Sequence, residues 1–192
     1  TTPQTGANGG WIDASALTYK ITRLPDSIVV AETTTGNEYI DNSITKLNIY
    51  SYQIQAITPD GAGPTATTDR LVMGPALTVP YRCNFATDDQ FALWNVIDAN
   101  NDKYTWKRET TLAAAYYYYN EDGETGGDDW LVSSPIHLEK DKIYRLKFKL
   151  QSYDVGYPEK VAVHLGTGAS VAEQTTLLGD YEIESNTFVE YK

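Results

Sequence analysis

Apolar and polar positions alternate along this chain in short runs, the two-residue period of a strand with one buried face. LTYKITR (residues 17–23) alternates, IVVAE (28–32) is β-branched, and LPDS (24–27) between them has turn chemistry, so the three predict a hairpin. NEYID (37–41) reads as a third extended segment. LNIYSYQIQAI (47–57) puts Tyr50, Tyr52, Ile54 and Ala56 on one face, with Ile49 out of step. PDGAGP (59–64) is a turn, and ATTDRLVM (66–73) is a further strand.

GPALTVP (74–80) reads as a proline-bounded linker, which divides the chain into regions 1–76 and 77–192. Beyond it the expected strands are YRCNF (81–85), LWNVI (93–97), YTWKRET (104–110), AAAYYYYN (113–120), DWLVSSPIHL (129–138), KIYRLKFKLQSYD (142–154), KVAVHLG (160–166) and TTLLGDYEI (175–183). In KIYRLKFKL, Tyr144, Leu146, Phe148 and Leu150 share an inward face, while Arg145, Lys147 and Lys149 meet water. Strand alternation forbids four consecutive tyrosines from sharing a face. Tyr116 and Tyr118 are expected inside, and Tyr117 and Tyr119 outside as candidates for ligand contact. His164 alternates with Val163 and Leu165 and reads as outward.

Composition agrees with the β pattern. Fifteen Tyr, 14 Gly and 8 Pro against one Met and four Phe are unlike a helical bundle. Net charge is −11, about −3 in the first region and −8 in the second, which excludes nucleic acid or an anionic membrane as partner. No stretch approaches the ~18 apolar residues of a transmembrane helix, so no membrane insertion is expected. TTPQTGANGG has neither a basic n-region nor an apolar h-region. Cys83 is the only cysteine, so no internal disulfide forms.

The run Y-x-Y-x-I-x-A (50–56) followed by PDGAGP resembles the strand F, turn and strand G of a fibronectin type III module, with Tyr50 in the tyrosine-corner position. GANGGWIDASALTYKITR upstream resembles that family's loop into strand C. The resemblance covers residues 1 to about 73 and departs from the family in lacking the first strands. FALWNVIDANNDKYTW (91–106) with DDWLVSSPIHL (128–138) resembles the cleaved-adhesin or choice-of-anchor jelly-roll family, found beside such modules in secreted and surface proteins of Bacteroidetes.

Together the two resemblances imply an all-β chain. A fibronectin type III-like sandwich lacking its first strands occupies 1–76, and a jelly-roll β-sandwich lacking its last strands occupies 77–192. They imply a non-catalytic extracellular module that binds host protein or glycan, beside a spacer. Two rivals are an accessory region of a larger secreted peptidase or glycoside hydrolase, and a stalk that assembles by strand pairing with another chain.

Asp98, Asn100 and Asp102 are oxygen donors at alternate positions of a tight loop, as in loops that wrap a hard cation such as calcium. Counting from Asp98, Glu109 is twelfth, but Lys103 holds the sixth position, where an EF-hand needs glycine. The jelly-roll resemblance implies a structural calcium at Asp98, Asn100 and Asp102, with Asp128 or Asp129 contributing from a distance. The alternative is an Asx-rich turn bonding its own backbone. NEDGETGGDD (120–129) reads as a solvated loop. Trp94, Trp106 and Trp130 sit in apolar strand patterns and at least two of them are expected to pack inside, whereas Trp11, in a Gly-rich loop, is the tryptophan expected to be exposed and a candidate for ligand contact. His137, His164 and Cys83 belong to no catalytic motif.

Overall fold

The structure, a computed structural model, describes residues 3–6, 8–118 and 126–192. The chain is nearly all β, with 42% of it in strands and 6% in helix. It divides into two compact units, Thr1–Ala76 and Leu77–Lys192. Among the described residues no helix is long and apolar enough to cross a membrane.

The first unit has a 3-10 turn (Ala14–Ala16) and five strands: β1 (Thr18–Leu24), β2 (Ile28–Thr34), β3 (Asn48–Thr58), β4 (Gly61–Thr67) and β5 (Leu71–Met73). They form one antiparallel sheet in the order β2-β1-β3-β4, and β5 pairs with the start of β3. The register Ile21↔Ile54, Tyr19↔Ala56 and Arg23↔Tyr52 gathers the apolar alternation of β1 and β3 on one face. Leu17, Ile21 and Tyr50 are its buried apolar side chains among the described residues.

NEYID forms no strand, contrary to its β-prone pattern. Asp41 bends the chain back on itself, accepting from Ser43 N (2.8 Å) and Ser43 Oγ (2.6 Å). It also receives Arg23, which is 4% exposed and stands where the β1 pattern would put an apolar side chain. The Arg23 guanidinium bonds Asp26 (2.7 Å), Asp41 (2.9 Å) and Ser43 Oγ (2.8 Å), lies 5.4 Å over the Tyr50 ring, and shares Asp41 Oδ2 with the Tyr52 hydroxyl (2.9 Å).

Tyr50 Oη donates to Lys46 O, four residues upstream, at 2.9 Å. Tyr50→Phe leaves that carbonyl without its donor. A loss of about 1 kcal/mol is expected, read as a fall of roughly 4–8 °C in the melting of a unit this size by calorimetry.

In the second unit, helix α1 (Asp88–Ala92) is capped by Thr87, whose Oγ1 accepts from Gln90 N (3.2 Å). Four antiparallel pairs follow: β6 (Asn95–Asp98) with β9 (Asp129–Val132), β7 (Trp106–Glu109) with β8 (Ala114–Tyr117), β10 (Phe148–Leu150) with β13 (Val189–Tyr191), and β11 (Glu159–Leu165) with β12 (Thr176–Ile183). A second 3-10 turn spans Val171–Glu173. Ile183 is buried, and Tyr181 meets Phe148 and Tyr191 edge-on at 5.2 Å each, so β12 packs against the β10-β13 pair. YRCNF is not a strand, because Phe85 takes a left-handed backbone (φ 53°) just before α1. Of KIYRLKFKLQSYD, residues 148–150 are the ones that pair in a strand among the described residues, opposite β13.

Candidate functional site

The acidic loop leaves β6 at Asp98 and enters β7 at Trp106. Asn101 (φ 58°) and Lys103 (φ 72°) both take left-handed backbone, which side chains at 98, 100 and 102 stabilise by bonding amides. Asp98 Oδ1 accepts from Asp102 N (3.2 Å) and Oδ2 from Lys103 N (2.8 Å). Asp102 Oδ1 accepts from Tyr104 N (2.8 Å), and Asn100 Nδ2 donates to Asp102 Oδ2 (3.2 Å). The loop thus forms an Asx-rich turn from the residues that also read as cation donors.

Only one of the two following aspartates can face it, because strand neighbours alternate. Asp129 lies directly across from Asp98 in the β6-β9 register. Asp128 does not join them: its carboxylate is on the exposed side, accepting from Trp130 Nε1 (2.9 Å), while its backbone carbonyl accepts from Ala99 N (3.0 Å). Asp128 is therefore corrected out of the donor set.

Both carboxylate oxygens of Asp129 are buried and, among the described residues, no donor reaches them in bonding geometry. Burial pushes the Asp129 carboxyl up; the nearby Thr105 and Tyr117 hydroxyls draw it partly back, and the charges of Asp98 and Asp102 push it further up. A like-charged pair facing each other across a ladder is unfavourable. Nothing in the β6-β9 pairing itself offsets it. Among the described residues no three carboxylate, imidazole or thiol groups stand where they could jointly hold a metal ion.

Tyr117 and Tyr118 face opposite to expectation. Tyr117 sits across from Trp106 in the β7-β8 register, with ring centroids 5.7 Å apart, and Trp106 Nε1 donates to Asp129 O (3.2 Å). Burial, then the Asp129 charge, pushes the Tyr117 hydroxyl up to about 12. That hydroxyl lies against Gly127, leaving no room for a side chain there. Tyr117 is therefore an inward residue, not an outward ligand contact. Tyr118 is exposed, edge-on to Tyr116 (4.6 Å) and beneath Lys107 Nζ (4.6 Å). Tyr119 lies outside the described residues, as do positions 120–125 of the acidic stretch.

Trp94 packs on Phe85 (5.1 Å) and Trp130 on His164 (5.1 Å), so these rings and Trp106 are taken up by neighbours. Trp11 is 84% exposed. His164 faces inward, contrary to simple alternation, because the ladder slips between Val163 and His164. Its Nδ1 donates to Gln174 O (3.0 Å). That bulge leaves no mark in the local apolar pattern, and the inward turn of Tyr117 is set by Trp106 opposite it across the β7-β8 ladder. Comparison with protein-family models, curated proteins and solved structures found no match to this chain.

Proposed function

We propose that the chain is a non-catalytic binding module of the bacterial cell exterior, the first unit a spacer and the second the part that engages a host protein. The observation that carries this reading is the set of large apolar side chains left open to solvent. Ile40 (77%), Tyr153 (83%) and Tyr157 (72%) stand in the open. Large apolar side chains exposed in this way are what surfaces that meet other proteins carry. The Tyr118 ring, shared with Tyr116 and Lys107, offers no open face to a sugar.

The chain, labelled and applied to an array of extracellular-matrix proteins and host glycans, is expected to mark protein spots. An array with no marked spot overturns the binding reading. Glycan spots alone overturn the choice of a protein.

Calcium is the structural ion we propose for the acidic loop, held by Asp98, Asn100, Asp102 and Asp129. What supports it is the buried, unbonded carboxylate of Asp129 facing Asp98, a like-charged arrangement that a hard cation relieves. The donors fit in kind. In arrangement they do not fit as they stand, since Asp98, Asp102 and Asp129 are not close enough together to hold an ion jointly, so binding would have to draw the three carboxylates together and release the amide bonds of Asp98 and Asp102.

A ligand at a hundred times its Kd stabilises by about 2.7 kcal/mol, so millimolar Ca²⁺ is expected to raise melting on the order of 10 °C over EDTA. Asp129→Asn is expected to melt a few degrees higher than the parent in EDTA, about 1 kcal/mol of relieved charge burial, and to lose the response to Ca²⁺. Equal melting of the parent with EDTA and with Ca²⁺ removes calcium from the account.

A further inference from the structure

Residues 152–158, SYDVGYP, turn the chain from β10 towards β11 and carry three large apolar side chains within five positions. Tyr153, Val155 (63%) and Tyr157 all stand open to solvent. They stand on a turn rather than on a sheet face, and the bonds that shape the turn are made within it. Asp154 O accepts from Tyr157 N (3.2 Å) and from Ser152 Oγ (3.1 Å), and Asp154 Oδ1 accepts from Gly156 N (3.4 Å). Ser152 is itself 1% exposed, and its N donates to Ser185 O (2.8 Å), which ties the foot of the turn to the segment ahead of β13. Two tyrosines on such a base offer broad contact faces at low entropy cost, since few side-chain torsions need fixing.

The charge around the two rings is acidic. Asp154 lies in the turn, Glu159 opens β11, and Glu184 adjoins Ser185, whose carbonyl holds Ser152. Among the described residues no Lys or Arg pairs with any of the three. Lys160 is the neighbouring cation, and it faces Glu182 across the β11-β12 ladder. Open aromatic faces beside unpaired carboxylates suit a guanidinium, whose plane lies on a ring while its fork of N–H donors meets carboxylate oxygens. The first unit holds that arrangement in closed form, with Arg23 over the Tyr50 ring (5.4 Å) and bonded to Asp26 and Asp41.

We propose that the 152–158 turn docks a basic protein surface through its arginines, the rings of Tyr153 and Tyr157 taking the guanidinium planes and Asp154, Glu159 and Glu184 their charge. Val155 between the rings packs on the aliphatic stems of the same side chains. The net charge of −11 steers such a partner in and turns acidic ones away. A second copy, as acidic as the first, is disfavoured for the same reason.

The inference names the chemistry of the partner in the binding reading above, and rests on it to that extent. Its probes are two fluorescein-labelled octapeptides, (Gly-Arg)4 and (Gly-Lys)4, titrated against the whole chain by fluorescence anisotropy at about 0.15 M salt. The Arg peptide is expected to bind roughly threefold or more tighter than the Lys peptide, which carries the same charge. Tyr153→Ser with Tyr157→Ser is expected to weaken the Arg peptide roughly fivefold or more and to erase the difference. Tyr153→Phe with Tyr157→Phe keeps the rings and is expected to bind within about twofold of the parent. Both positions lie in the open, so melting of either variant is expected to match the parent's.

Equal affinity for the two peptides, or an Arg peptide indifferent to the loss of both rings, reduces the attraction to the chain's overall acidity and overturns the proposal. So does a Phe variant as weak as the Ser variant. A Ser variant that marks the same array spots as strongly as the parent removes the turn as the docking surface and leaves the binding reading standing. A blank array beside the expected peptide results removes the host-protein reading and leaves the turn as an arginine site.

Discussion

Asp41→Ala is expected to destabilise the first unit by about 3–5 kcal/mol, the cost of removing one partner from a buried ion pair. Asp41 is 6% exposed at its side chain and accepts from Arg23, Ser43 and Tyr52 at once. Its loss leaves a guanidinium, 5% exposed at its side chain, with Asp26 as its only carboxylate. At ~0.05–0.15 kcal/mol per residue a unit of this length has roughly 4–11 kcal/mol in total, so the variant sits near the edge of folding. Slowed or lost amide protection in β3, measured by hydrogen exchange, checks it. Protection equal to that of the parent contradicts the network's importance.

The same network makes stability depend on pH with a definite sign. Burial alone would raise the Asp41 carboxyl, but the bonds from Ser43, Tyr52 and Arg23 hold it down at about 2. Asp26 is lowered too, first by its bond from Arg23. A carboxylate with a depressed folded pKa stabilises fully above its unfolded value, about 3.9. That contribution fades as pH falls from about 4 towards 2, about 2 kcal/mol for Asp41. The urea midpoint of the parent is therefore expected to drop between pH 5 and pH 2.5 by more than that of Asp41→Ala.

Where a pattern depended on neighbours in sequence, it carried through to the fold. The β1-β2 hairpin around LPDS and the long β3 need only local alternation and turn chemistry, and both formed. Tyr50 likewise carries its own bond to Lys46. The departures depend on partners that local alternation cannot name. Arg23 reads as a misplaced polar residue until Asp41, 18 positions on, folds over it. Residues 142–147 have a strand pattern, yet a strand is a pair and among the described residues theirs has no second member.

The candidate site divides along the same line. That Asp98, Asn100 and Asp102 form one tight loop follows from their spacing. Which of Asp128 and Asp129 faces them was decided by the register of β6 on β9, a non-local fact. The same holds for the tyrosines, whose inward member was chosen by Trp106 across the ladder.

Gly74→Ala is the second substitution for which a large effect is expected, and it tests where the first unit ends. GPALTVP has the composition of a free linker, but Gly74 is held against the chain just before β3. A Cβ there would stand 2.5 Å from Leu47 Cα, 2.5 Å from Lys46 O and 2.7 Å from Leu47 N, all backbone atoms that cannot swing aside. The φ of 139° adds strain that only glycine avoids. The displaced carbonyl is that of Lys46, which receives the Tyr50 hydroxyl, so the clash also pulls on the corner of β3. Strain and overpacking together are expected to cost about 3–5 kcal/mol. Were residues 74–76 a free tether, alanine would be neutral or slightly stabilising through the lower entropy of the unfolded chain. Melting of Gly74→Ala beside Gly36→Ala separates the two pictures. Gly36 also has a positive φ, 89°, but its Cβ would meet nothing within 4 Å, so it isolates the backbone term, expected at about 1–3 kcal/mol. A Gly74 variant that melts with or above the Gly36 variant means that the contact with Lys46 and Leu47 does not hold, and that the unit ends earlier, at β5.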